Sequence, residues 1–346
     1  MTRGGRRRAT IPDIAQRANA STATVDRVLI SRAGVSNANR QRVLCAANDL
    51  GYLPVEDQIV LPARRSRLEF FLPRSTQTFF GEVKVAIETF AATLPLVSSV
   101  SVHELDNLDP RTLEAAVNEL SVETLGVGIV AVDHPLTRQI IRDLDRSNVK
   151  VITLASDLLS THRAAHVGLN DRVAGRTASL AMGRFVRRAA GTVALFIGDP
   201  AFHGQREREL GFHLVMETDF PGLTILPAIA TKSDSALSAR ITRGLLEEHD
   251  DLVGIYCMGG GRSGIASVIE ELPPARRPCV IMHDLSEPIR RYLAKGVIDL
   301  IIDQNAKLFG EQSVIRLLGT IAATEPFLPE HYIEPRLIMR ENIPAP

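Results

Sequence analysis

From Leu68 onward, short continuous apolar runs alternate with longer amphipathic stretches, and this alternation constrains the fold more than any other feature. A strand that is apolar at every position has both faces covered. Helices packed on both faces of a parallel sheet provide that cover. The runs read as strands are 68–72, 97–103, 128–132, 149–154, 193–197, 223–228, 253–257, 280–283 and 298–302, with helices between most of them. So many strands crowd a single sheet, so the expectation is an α/β body of two lobes.

The first 67 residues read differently. They carry 12 Arg and no Lys against five acids, whereas the whole chain balances 40 basic with 40 acidic residues. A basic end on an acidic body suggests a polyanion-binding head. Thr10-Ile11-Pro12-Asp13 reads as a helix start, with Ile14, Ala15 and Ala18 inward and Asn19 as its left-handed stop. Ser21 caps a second helix, 22–29, with Val25, Val28 and Leu29 inward. A third begins at Ser36 and ends before Gly51. Two short helices joined by about three residues and closed by a third describe a helix-turn-helix unit. The second helix presents Thr22, Ala23, Asp26 and Arg27 outward. Small side chains let such a helix enter a major groove, and an arginine can bind guanine through two hydrogen bonds.

The stretch from Thr10 to Pro54, with its Thr-Val-x-Arg-Val core at 24–28 and its closing Leu50-Gly51-Tyr52-x-Pro54, resembles the head of the lactose-repressor (LacI) family of bacterial regulators. The resemblance implies base reading by Thr22, Ala23 and Arg27, with the carboxylate of Asp26 set where the family usually has Ser. It implies phosphate positioning by Thr10, Ser21, Thr24, Ser36, Asn39 and Tyr52. Residues 55–61 resemble the family's hinge, in which Leu61 takes the place of a leucine that wedges into the minor groove.

The later motifs also follow that family, whose body resembles type I periplasmic sugar-binding proteins. They are Phe79-Phe80, Val167 to Asp171 with Ala174-Gly175, Arg206 to Phe212, His283-Asp284 and Asp303-Gln304-Asn305. The implied organisation is an all-α helix-turn-helix head over 1–54, a hinge over 55–67 and a two-lobed parallel-sheet body over 68–346. That body binds ligand in a cleft at the strand ends and also dimerises. Sugars and polyols need apolar faces and charged groups that share hydroxyl hydrogen bonds. Phe79 and Phe80 are the candidates for the first. Arg208 and Asp284 are candidates for the second, with Gln77, His283 and Gln304 beside them and Asp133-His134 at a strand end. Ala155-Ser156 and Gly259-Gly260 depart from the pairs that sugar binders usually carry there. The expected partners are double-stranded operator DNA, a small polar effector and a second copy of the chain.

A rival reading is a nicotinamide-dependent oxidoreductase. Gly259-x-Gly261-x-x-Gly264 follows a strand, opens a helix and precedes Asp284 by 20 residues. The motif lies late in the chain, however, where the first strand–helix unit of a dinucleotide fold does not belong. The three cysteines, Cys45, Cys257 and Cys279, form no metal-ligand spacing. No cofactor, metal or catalytic residue is expected, and the chain is not read as an enzyme. With no apolar run of membrane-spanning length and no secretory h-region, a cytoplasmic location is expected.

Overall fold

The computed structural model describes residues 10–29, 35–36, 39, 42–43, 46–47, 62, 65–74, 79–186, 188–323 and 331–345. The expectations for Tyr52, Leu61 and Gln77, and for most of the hinge and third helix, lie outside these residues.

In the head, α1 (Ile11–Ala18) and α2 (Thr22–Leu29) are joined by three residues. Asp13 accepts hydrogen bonds from the backbone N–H and the hydroxyl of Thr10, at 2.8 and 2.6 Å. Asn19 adopts φ 49° and stops the helix. Ser21 then accepts the Thr24 N–H at 3.1 Å, capping α2. Ile14, Ala15, Ala18, Val25 and Val28 meet Val43, Ala46 and Ala47 in one small core.

The body begins with β1 (Ser66–Pro73), α3 (Phe79–Ala92), β2 (Val97–Leu105), α4 (Pro110–Asn118), β3 (Thr124–Ile129), α5 (Pro135–Arg146), β4 (Lys150–Leu154) and β5 (Ala165–Leu169). Then come α6 (Asp171–Phe185), β6 (Gly191–Ile197), α7 (His203–Asp219), β7 (Leu223–Ile225), β8 (Ile229–Ala230), α8 (Ser235–Glu248), β9 (Leu252–Cys257) and α9 (Arg262–Glu271). The remainder is β10 (Cys279–His283), α10 (Glu287–Ala294), β11 (Leu300–Asp303), α11 (Ala306–Ala322), β12 (His331–Ile333) and β13 (Arg336–Ile338).

Two sheets result. The first runs β12-β5-β4-β3-β1-β2 and the second β13-β11-β10-β9-β6-β7, with β8 also paired to β6. Every pairing is parallel except β11 with β13. Adjacent residues of β1 show why the runs are apolar throughout. Phe70 and Phe71 are both fully buried, each in a different core on either face of the first sheet. The chain passes to the second sheet after β5 and returns with α11, which packs on α3 and β3–β5. It crosses again between β12 and β13.

Some boundaries differ from the sequence reading. The run placed at 128–132 is strand only to Ile129, yet Val130, Ala131 and Val132 stay buried beyond it. The run at 223–228 splits into β7 and β8 around Pro227, which has no N–H for a ladder. β5, β12 and β13 were not anticipated.

Candidate functional site

On α2, Thr22, Ala23, Asp26 and Arg27 are exposed while Val25 and Val28 are buried, so the polar face stands free of the head's core. Ser36 accepts the Asn39 N–H at 3.4 Å, and Asn39 in turn accepts from Arg42. Thr10, Ser21 and Ser36 thus all lie at or just before helix starts, where backbone amides point outward.

In the body, polar residues gather where the second sheet's strands end. Arg208 Nε donates to Asp171 at 2.6 Å and its Nη1 to the carbonyl of Met258 at 2.8 Å, both side chains being buried. Arg262 binds the backbone carbonyls of His283 and Asp284 and lies 3.3 Å from the Asp284 carboxylate. Gln304 Nε2 donates to the other Asp284 oxygen at 2.7 Å. Two guanidiniums therefore face two carboxylates in a charge-balanced, water-poor cluster. Burial pushes the Asp284 carboxyl above its ordinary range, although Arg262 and Arg208 oppose this. Asp284 also holds φ 61°, an uncommon conformation that aims its side chain from the strand end. His283 receives or gives a hydrogen bond with the Tyr256 hydroxyl at 2.7 Å. Burial, reinforced by the two arginines, holds its pKa well below the usual value and keeps the ring neutral.

Arg208, His283, Asp284 and Gln304 are brought together as the motifs suggested. The others are placed differently. Phe79 is 6% exposed and packs edge-on against Phe80 and Phe309, so it is a core residue and only Phe80 is half-open. His134 caps α5 by accepting the Leu136 N–H at 3.1 Å. Asp133 accepts two hydrogen bonds from Arg138, at 2.7 and 2.9 Å, which hold its carboxyl below the ordinary range. His203, on α7, acts on it in the same direction.

Three participants escaped the sequence reading. Asp171 lay in a quoted motif without a role, Arg262 was hidden in the glycine loop, and Glu82 sits one turn beyond Phe79 on α3. Desolvation and then the charge of Asp303 raise the Glu82 carboxyl, opposed by Arg290, although Glu82 itself is exposed on α3. Gln304 Oε1, His283 Nδ1 and Ser156 Oγ are buried with no hydrogen-bond partner among the described residues. Such groups cost about 1–3 kcal/mol each unless something satisfies them. They suit a ligand rich in hydroxyls.

The glycine loop is committed to packing. A β-carbon on Gly264 would stand 1.8 Å from the Ser235 carbonyl, and those on Gly260 and Gly261 would strike Ser233 and Ser238. The space that a dinucleotide's pyrophosphate requires is filled by the start of α8. Among the described residues, no group of His, Cys, Asp or Glu is arranged to hold a metal ion, and no helix is long and apolar enough to cross a membrane.

Two families of known proteins match different parts of the chain. Residues 10–55 match the model for bacterial regulatory proteins of the lacI family, and residues 68–320 match a periplasmic binding protein domain. The chain is 40% identical over 85 residues to the HTH-type transcriptional repressor CytR of Escherichia coli (strain K12), a match covering 24% of this chain and 25% of that one. It is 23% identical over 234 residues to the HTH-type transcriptional regulator DegA of Bacillus subtilis (strain 168), covering 61% of each. The chain thus spans about a quarter of the first curated relative it matches. Among solved structures, the glucose-galactose binding protein GanP from Geobacillus stearothermophilus is similar with a TM-score of 0.72 and 20% identity, covering 82% of this chain and 100% of that one. An ABC transporter solute binding protein from Burkholderia graminis C4D1M, in complex with D-arabinose, gives 0.73 and 21%, covering 81% and 97%. These likenesses establish the fold.

Proposed function

Since the chain belongs to the periplasmic binding protein domain family over residues 68–320 and matches the model for bacterial regulatory proteins of the lacI family over residues 10–55, we propose that it regulates transcription by binding operator DNA under the control of a small polar effector. The observation that carries this reading is the exposed Thr22, Ala23, Asp26 and Arg27 face on a helix otherwise anchored in a core. Arg27 reads guanine, Thr22 and Ala23 allow close approach, and Thr10, Ser21, Thr24, Ser36, Asn39 and Tyr52 fix the head on phosphates. Leu61 wedges the minor groove. Residues 1–54 are the reading head, 55–67 the hinge and 68–346 the sensing body.

The effector is of the sugar or polyol class, held in the cleft by Asp284, Gln304 and Arg208 with Phe80 beside them. The buried, unsatisfied Gln304 Oε1 and Ser156 Oγ support hydroxyl recognition. Two copies bind one palindromic site in the cytoplasm. They associate through α3, where Val85 is 60% exposed, and through its second-lobe counterpart α7, where Leu210 and Leu214 are 54% and 56% exposed. Effector binding selects one lobe arrangement and changes the spacing of the two heads. A coupling of about 1–3 kcal/mol alters operator affinity roughly 5–150-fold.

Gel mobility shift with a fragment of the protein's own promoter against random duplex, at moderate salt and with a panel of sugars, polyols and sugar acids, tests the reading. Promoter preference that responds to one of the panel is expected. Equal affinity for both DNAs under every condition overturns it.

A further inference from the structure

A cavity bounded by described residues lies away from the cleft, at the opposite, N-terminal ends of the second sheet's strands. It encloses about 1020 Å³ where β9 and β10 begin, and Leu252 and Cys279 line it. β9 then runs about 17 Å, at roughly 3.3 Å per residue, before it reaches the cleft end. The site is therefore separate from the polar cluster around Asp284.

Its lining is of two kinds. Phe185, Val253, Val268 and Val297 belong to an apolar floor. Around that floor stand five arginines, at 184, 188, 243, 276 and 277. Arg243 is paired with Glu271 at 3.0 Å, and Arg277 donates only to the carbonyls of Leu272 and Glu270, both at 3.1 Å. The side chains of Arg184, Arg188 and Arg276 form no ion pair or hydrogen bond with any described residue. Of the remaining acids, Asp299 is turned inward, accepts the Val280 N–H at 2.8 Å and is held above its ordinary pKa by burial. Glu247 and Asp250 are left facing four guanidiniums whose charges no carboxylate hydrogen-bonds.

We propose that this cavity is a second ligand site, for a carboxylate on a flat apolar body. Guanidiniums pair with carboxylates through two parallel hydrogen bonds, and the floor desolvates the body. The volume suits a molecule of drug size, since such pockets run to about 1,000 Å³. Neither the operator reading nor the cleft assignment enters this inference, because none of its residues belongs to either.

The probe is 2-naphthoate, titrated into the full-length protein by calorimetry, with neutral 2-naphthol and inorganic phosphate as controls. One saturable site per chain is expected. Both controls should bind at least tenfold more weakly. Arg188→Ala/Arg276→Ala should raise the Kd of 2-naphthoate tenfold or more while leaving the melting temperature unchanged, because both side chains are exposed. Val268→Asp, which places a like charge on the floor, should also weaken it. The proposal is overturned by absence of heat, by 2-naphthol or phosphate binding as tightly, or by unchanged affinity in both variants. It is also overturned if 2-naphthoate acts only by dissociating a dimer in sedimentation, which would mean that a second copy covers the cavity.

Discussion

Asp171 and Arg208 form a buried ion pair at 2.6 Å, with only 9% and 7% of their side chains exposed, that fastens the first turn of α6 to the middle of α7. The second nitrogen of Arg208 reaches the Met258 carbonyl just past β9. Arg208 is thus as much a structural tie as a ligand group.

Arg208→Ala strands a buried carboxylate. Removing one partner of a buried pair costs about 3–5 kcal/mol, so chemical denaturation should show a loss of that order alongside any loss of effector response. A variant with unchanged stability would contradict the tie.

Asp284→Asn is the cleaner probe of the cleft, since it keeps the shape and the neighbouring Gln304. It should weaken the effector found by a sugar screen at least tenfold and spare operator binding, as read by melting shifts and gel mobility. Burial raises the Asp284 carboxyl. Wild-type affinity should therefore decline as pH falls through a window lying above the ordinary aspartate value of about 3.9. The Asn variant should lack that dependence.

Asp157 has the opposite sign. Burial alone would raise its carboxyl, but hydrogen bonds from Arg163 and Thr153 and the charge of His166 outweigh it and lower the pKa. Its stabilisation is complete above the unfolded value of about 3.9 and disappears as pH falls through the lower folded value. Asp157→Asn should cost about 2–3 kcal/mol at neutral pH and flatten the acid limb of the stability curve.

Gly175→Ala should disturb the same helix pair, because a β-carbon there would lie 2.0 Å from the Arg208 carbonyl oxygen. Overpacking of this kind costs about 1–3 kcal/mol. A melting temperature equal to the parent's would show that α6 and α7 can part without penalty.

Arg27→Ala should lose promoter preference and keep salt-dependent nonspecific binding, measured by competition with random duplex. Equal weakening on all sequences would reassign Arg27 to phosphate contact.

The two-lobed parallel architecture was legible because residues such as Phe70 and Phe71 are buried on opposite faces of one strand. β5 was missed because His166 and Gly168 interrupt its apolar run. There His166 is bonded to the Thr153 hydroxyl at 3.0 Å, a compensation visible only in three dimensions. β13 was missed because an edge strand of three residues with an arginine carries no period. Asp284 and Gln304 were legible as polar residues closing apolar runs. Phe79 was misread as a ligand face because a helix-borne aromatic looks the same whether it turns to the cleft or to Phe309. Arg262 was missed because long charged side chains on helices usually face solvent, and only the tertiary arrangement buries this one at the strand ends.

The third crossing places β12 on the first sheet and β13 on the second. Neither lobe is therefore a contiguous length of polypeptide. On the ribosome the first sheet waits for its outer strand until β6 to β11 of the second have emerged, and the second sheet waits slightly longer for β13. Early folding must proceed on five strands with an open flank. A nonsense codon between α11 and β12 strips the rim strand from both lobes in a single event, so such a truncation should aggregate.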